Sequence, residues 1–215
     1  MNRLLIMKRT LWPLLIILFL YSCTEDFESE DEDYYTEYID GVGAVIEHDL
    51  GELPMIDAVT SGIEGRIRVT RGPVQKVTIY AQENIFRLIE YEVDEGHFTV
   101  SMNPDVNIRN AKEVEVNVQL ANEVEVVSMF GSGRIDLQGE SQKLLTVLLV
   151  GTGQVDAFDL PVERCLINVV GAGDCKLNVS KEIAGVYTGI GNIQVKGSPL
   201  VNLEGKGYGS ISFED

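Results

Sequence analysis

Apolar and polar residues alternate along much of this chain, and from residue 131 onward the alternation is phased by a repeated triplet. Gly-x-Gly returns at Gly131-Ser-Gly133, Gly151-Thr-Gly153, Gly171-Ala-Gly173, Gly189-Ile-Gly191 and Gly207-Tyr-Gly209, in steps of 20, 20, 18 and 18 residues. Aligned on the glycines, two apolar columns follow each triplet: Ile135, Val155, Cys175, Ile193 and Ile211, then Leu137, Ala157, Leu177, Val195 and Phe213. Between them fall Arg134, Gln154, Asp174, Asn192, Ser210 and Asp136, Asp156, Lys176, Gln194, Ser212, the polar side of a period-two strand. A second alternating run closes each repeat, at residues 145–150, 165–170, 183–188 and 201–206. A unit this short cannot bury its apolar face alone and must stack on copies of itself. The expected fold is all-β, a right-handed parallel β-helix or solenoid-like body with coils of 18–20 residues. Glycines at matched places imply a corner where the backbone takes positive φ or passes close to its neighbour.

Residues 41–125 read as further strands that cap this body, with weaker periodicity. Gly65-Arg-Ile-Arg-Val-Thr70 and Lys76-Val-Thr-Ile-Tyr80 alternate around the turn Gly72-Pro73, and suggest a hairpin or the first two turns of the winding. Residues 83–88 suggest one helical turn, Asp94-Glu-Gly96 a tight turn, residues 103–111 a loop and residues 114–120 another strand.

The start of the chain concerns address. Arg3, Lys8 and Arg9 precede an apolar run at residues 11–20, shorter than the roughly 20 residues a membrane span needs, and suited to a secretory signal. Its ending, Leu20-Tyr-Ser-Cys23, resembles a bacterial lipobox. That resemblance implies removal of residues 1–22, acyl chains on Cys23, and attachment to the membrane through them. Residues 23–40 carry nine acidic residues and no basic one, as an extended, self-repelling tether would. A short acidic run after the lipidated cysteine is similar to signals that send lipoproteins to the cell surface in Bacteroidetes-type bacteria; the alternative is a plain spacer and a periplasm-facing protein.

Charge narrows the partners. The first 22 residues hold three of the 17 basic residues and no acidic ones, which leaves 14 against 34 and a formal charge of −20. Nucleic acid and anionic headgroups would be repelled by such a body. Cys165 and Cys175 fall in inward columns and are either buried thiols or a bridge across the core. His48 and His97 are the only histidines and neither sits in a ligand cluster, so no metal or cofactor is implied.

The residues Val77-Thr-Ile-Tyr-Ala-Gln-Glu-Asn-Ile85, the stretch from Tyr91 to Val100 and the repeated glycine triplets together resemble the putative auto-transporter adhesin, head-GIN domain family. The resemblance spans residues 41–215 and implies an exported, solenoid-like body, with no established catalytic or ligand-binding residues to carry over. Four of the five triplets depart from Gly-Ser-Gly at the middle place.

Two surfaces emerge as candidates. The triplet centres Ser132, Thr152, Ala172, Ile190 and Tyr208 line one edge, where Ile190 and Tyr208 form an apolar patch for a protein or glycan partner or tuck against a loop. Asp136, Asp156 and Lys176 share one outward column at about 4.8 Å intervals, and could hold a cation and abstract a proton beside a uronate carboxylate. Against that chemistry, charged residues are ordinary on outward positions and no arginine cluster accompanies them in the sequence. The nucleotide-loop pattern is absent, since no triplet continues as Gly-x-Gly-x-x-Gly opening a helix and no Gly-x-x-x-x-Gly-Lys-Ser/Thr occurs. The calcium-nonapeptide pattern is absent, since an apolar residue stands two places after each triplet where Asp is needed. The final strand edge, near residues 213–215, is expected to be protected either by its two terminal acidic residues or by pairing with a second copy. The combined reading is a non-enzymatic, lipid-anchored protein of the outer membrane surface.

Overall fold

The computed structural model describes residues 38–214; the leader, Cys23 and all but the last three residues of the acidic segment lie outside the described residues. In chain order the first part comprises β1 (Tyr38–Asp40), β2 (Val45–Asp49), β3 (Ala58–Gly62), β4 (Arg66–Arg71), β5 (Lys76–Gln82), the helical turn α1 (Glu83–Phe86), β6 (Ile89–Asp94), β7 (His97–Met102), β8 (Asn107–Arg109) and β9 (Glu115–Leu120). The second part comprises β10 (Val126–Gly131), β11 (Arg134–Gln138), β12 (Gln142–Gly151), β13 (Gln154–Gly171), β14 (Asp174–Gly189), β15 (Asn192–Lys196), β16 (Leu200–Gly207) and β17 (Ser210–Glu214). The described chain is therefore all-β, as the alternation requires.

Fifteen strands form one strongly curled sheet, and β1 and β8 form a separate parallel pair. The curl has a direct cause: β13 and β14, 18 and 16 residues long, each run through one ladder, bend, and continue in another. Strands that lead into the glycine corners make a pre-glycine ladder in the order β6-β7-β3-β10-β12-β13-β14-β16. Strands that leave them make a post-glycine ladder in the order β2-β5-β9-β4-β11-β13-β14-β15-β17. Within the second part every pairing is parallel, and each repeat lies in register on the one before it. Antiparallel strands, β6 on one side and β2 and β5 on the other, end both ladders.

The core lies between the ladders. Ile135, Val155, Cys175 and Ile193, with Leu137, Ala157, Leu177 and Val195, are buried as their columns require and face Met129, Val147, Leu149, Ile167 and Val169 within one cluster. Ile211 and Phe213 occupy the same columns but are exposed, because β17 is the last strand of its ladder. The step from 20 to 18 residues is absorbed away from the glycines: the β13–β14 register shifts between Ala157 and Pro161 and again between Val162 and Arg164.

Three expectations change. β4 and β5 are not a hairpin, since β9 lies between them, parallel to β4 and antiparallel to β5. Val116 and Val118 of β9 thereby continue the buried column of Ile67 and Val69, and the Gly72-Pro73 turn crosses the end of β9, with the Gly72 N–H donating to Leu120 O at 2.9 Å. The layer β3/β4 also sits between β7/β9 and β10/β11 although it precedes both in sequence. The winding is thus interleaved at its start, where simple succession was expected. Finally, Tyr38–Asp40, read as the end of the tether, form β1 on β8 within the segment read as a loop. Arg109 pairs with Asp40 at 3.0 Å and lies over the Tyr38 ring at 4.9 Å. Its hydrogen bond holds the Asp40 carboxyl below the usual range.

At each corner the two glycines do different work. The first, as in Gly171, takes positive φ (125°), and a Cβ there would run into the carbonyl oxygen of Gly151 one layer below. The second, as in Gly173, lies so close to the layer below that its Cβ would stand 2.6 Å from Gly153 O. The chain passes between them with a hydrogen bond from layer to layer: Ala172 N–H donates to Gly151 O at 2.9 Å and Ile190 N–H to Gly171 O at 3.0 Å.

Cys165 and Cys175 are buried free thiols. Burial raises the Cys165 thiol and pushes Cys175 up to about 12. Since the folded value exceeds the unfolded one, their contribution to stability is complete below about pH 8.5 and declines as pH rises toward 12.

Two outcomes follow from this packing. Gly171→Ala should cost about 3 kcal/mol or more in urea unfolding, from backbone strain plus overpacking. Gly131→Ala, also at positive φ but with open space around its Cβ, should cost roughly half as much, since it carries the strain term alone. Equal losses would show that stacking at the corner is unimportant. Iodoacetamide at neutral pH should leave both thiols unlabelled in the folded protein and label both in denaturant without reductant; a bridged pair would take up label only after reduction.

Candidate functional site

The polar column found in the sequence is assembled on the outer face of the post-glycine ladder, with β11, β13 and β14 placing Asp136, Asp156 and Lys176 side by side. Arginine is present there after all. Arg134, two residues before Asp136 on the same face, donates from Nε to Asp136 Oδ1 at 2.5 Å, from Nη2 to Asp156 Oδ2 at 3.0 Å, and from Nη1 to Gln154 Oε1. Arg66, brought in by the interleaved layer, lies 3.6 Å from Asp136, and Lys176 lies 3.8 Å from Asp156 and 5.7 Å from the Phe158 ring centroid. Asp156 Oδ1 also accepts the Phe158 N–H at 3.2 Å. Both carboxylates are thus committed to cations in the folded state, on a ladder face rather than in a cleft. A proton abstractor needs a free basic oxygen at a point where substrate can approach it. The arrangement fits better as an ion-pair strap across four layers. Among the described residues, no group of three or more His, Cys, Asp or Glu side chains is placed to hold a metal ion.

The triplet centres do line one edge. Ile190 is 63% exposed and Tyr208 96%, each at the outer point of a corner. They therefore stand free rather than tucked against a loop.

A third surface was missed by sequence reading. On the outer face of the pre-glycine ladder, Phe130, Leu166, Val170 and Val186 are 41–46% exposed, and Leu148 and Val150 are half-buried beside them. They are adjacent through the registers Phe130↔Val150↔Val170 and Leu148↔Asn168↔Val186. Across β7, β3, β10, β12, β13 and β14, the three outward columns that contain these residues hold no Asp, Glu, Lys or Arg. Charge returns at both borders: Glu90, Glu92 and Asp94 on β6, and Glu204 and Lys206 on β16. The signal was present in Leu144-Leu-Thr-Val-Leu-Leu-Val150, where apolar residues fill both phases of the strand. Such a run belongs to a sheet covered on both faces.

Residues 57–143 and 120–199 match the family described as putative auto-transporter adhesin, head GIN domain. A solved structure of a putative adhesin from Bacteroides fragilis NCTC 9343 superposes with a TM-score of 0.57 at 21% identity, over 82% of this chain and 100% of that one. At that identity the likeness is one of fold. A putative lipid binding protein from Parabacteroides distasonis ATCC 8503 (TM-score 0.43, 16% identity, 83% and 100% coverage) and a putative adhesin from Parabacteroides merdae ATCC 43184 (0.36, 13%, 83% and 99%) are more distant neighbours. No curated protein matches the chain.

Arg134→Gln should leave Asp136 and Asp156 facing each other across one layer without their shared cation. A loss of about 1 kcal/mol is expected at low ionic strength, and it should shrink in about 1 M salt, where the Debye length is about 3 Å. A loss independent of salt would mean that Arg134 acts through packing.

Proposed function

The chain belongs to the putative auto-transporter adhesin, head GIN domain family, and from that premise we propose that it is a lipid-anchored outer-membrane protein that presents its β-stack at the cell surface for adhesion or partner recognition, without catalysis. The observation that carries this reading is the corner edge: Ile190 and Tyr208 stand exposed on consecutive corners of a backbone fixed from layer to layer by hydrogen bonds. Aromatic and branched apolar side chains held on so stiff a support lose little conformational freedom on binding, which favours recognition. The leader, the cysteine at residue 23 and the acidic run after it support the address and the anchor. The winding is proposed to be right-handed, as crossovers between parallel strands of one sheet nearly always are. A catalytic role for Asp136, Asp156 and Lys176 is disfavoured by the ion pairs that occupy both carboxylates.

Proteinase added to intact cells should remove the body, and Cys23→Ala should release it from the membrane fraction. Digestion only after permeabilisation would place the protein on the periplasmic side and end the surface reading. The double variant Ile190→Ser/Tyr208→Ser should retain the thermal unfolding of the parent and weaken co-aggregation of cells that display it. Unchanged co-aggregation would remove the corner edge as the contact.

A further inference from the structure

We propose that the uncharged outer face of the pre-glycine ladder is the docking surface for a second copy of this chain, sheet on sheet, about a two-fold axis near Leu148, Leu166 and Val186. This inference stands apart from the corner edge and does not depend on which side of the membrane the protein occupies.

The first argument is charge. Nearly a quarter of the residues are charged and the formal net charge is −17, yet six adjacent strands present three outward columns without a single Asp, Glu, Lys or Arg. Two copies of so acidic a molecule meet with least repulsion where each is neutral. The borders also select. Arg164 lies 3.9 Å from Glu182 at one side of the apolar cluster, and Glu204 and Lys206 are two positions apart on β16 at another. Around the axis the border thus carries both signs and is complementary to itself, while the acidic border on β6 lies at the far end of the ladder, four strands from β12. An anionic membrane or a polyanion would select a basic border instead.

The second argument is size and shape. The six uncharged strands, about 4.8 Å apart and read over six residues of about 3.3 Å each, give a footprint of roughly 29 by 20 Å, or about 580 Å², which the border strands β6 and β16 extend to about 750 Å². A stable interface of standard size needs about 800 Å² from each partner. The face is a twisted sheet with Leu, Val and Phe on its outside, and the natural cover for one is another sheet packed about 10 Å away at about 30°. A second copy supplies such a sheet with the same twist, and two-fold symmetry brings one apolar cluster onto the other.

The test uses the full chain in the envelopes of cells that produce it, with single cysteines introduced as Leu148→Cys, Leu166→Cys or Val186→Cys. The post-glycine face supplies Gln194→Cys for comparison. Cys165 and Cys175 are buried and stay silent, and the unaltered chain measures any cross-linking through Cys23. A bifunctional maleimide should give a band of twice the chain mass from the three face variants above the background of the unaltered chain and of Gln194→Cys. Adding Val170→Glu to Leu166→Cys should lower that yield by at least about ten-fold, since it brings like charges face to face. Should that variant fail to accumulate, Thr188→Lys, at an exposed position of the same face, replaces it. Absence of the dimer band from all three variants, equal dimer from Gln194→Cys, insensitivity to the added charge, or cross-links only to other proteins would each overturn the proposal. Proteinase shaving is read separately, so a dimer protected inside the envelope would support this inference and still sink the surface reading.

Discussion

Register between layers is the constraint on which the rest of this structure depends, and the glycine column holds it. In a parallel stack a slip of one residue turns every inward side chain outward. Here a slip would have to break the bonds that tie the centre of each triplet to the carbonyl of the preceding first glycine, and drive a side chain into a space where no Cβ fits. The columns of Val155 and Cys175 in the core, and the strap around Arg134 outside it, are aligned because the corners are. Tyr187 shows the same logic near the far end. Its buried hydroxyl donates to Gly191 O at 2.6 Å and fills the space beneath Gly209, so an aromatic closes the core at a corner where earlier layers use a smaller side chain such as Val169.

Stacking at one strand spacing also decides what the outer faces tolerate. Identical charges in one column are separated by about 4.8 Å, which is destabilising unless a counter-charge intervenes. The post-glycine face solves this with counter-charges: Arg68, Asp136, Asp156 and Lys176 occupy successive places in one column, Arg134 bridges the two carboxylates, and the neighbouring pair Arg66 and Arg134 share Asp136. The pre-glycine face solves it by carrying no Asp, Glu, Lys or Arg in three adjacent columns through six strands. Two ladders of one curled sheet, built from the same repeats, thus end with opposite surface chemistry.

Much of the second half was legible in the sequence because each repeat carries its own punctuation. Triplet spacing sets the layers, and alternation after each triplet sorts Ile135 and Leu137 inward and Arg134 and Asp136 outward. The first half resisted for a physical reason. Its corner at Gly62-Ile-Glu-Gly65 has four residues where the others have three, and its partners, residues 115–120 and 134–138, lie 45 residues or more away. Local pattern carries no record of such pairing, so a hairpin between β4 and β5 was the natural reading of a turn flanked by two strands. The ion-pair strap was half visible: Arg134 was read as outward, but its reach to Asp156 belongs to the next layer. The apolar face lay in plain view as doubled hydrophobic phase in residues 144–150, a run whose reading as simple alternation from residue 145 hides its second apolar side.

The interleaved opening layer divides the molecule by how it can change length. From β10 onward each repeat rests only on its predecessor, so a unit running from corner to corner can be inserted or deleted and the neighbours will still find matching columns. The segment 58–71 has no such liberty, because β3 and β4 are clasped between strands that come later in the chain. Variation in the reach of this architecture is therefore expected to accumulate in the tail by duplication of whole repeats, while the front stays constant in size and acts as the foundation on which that tail is laid.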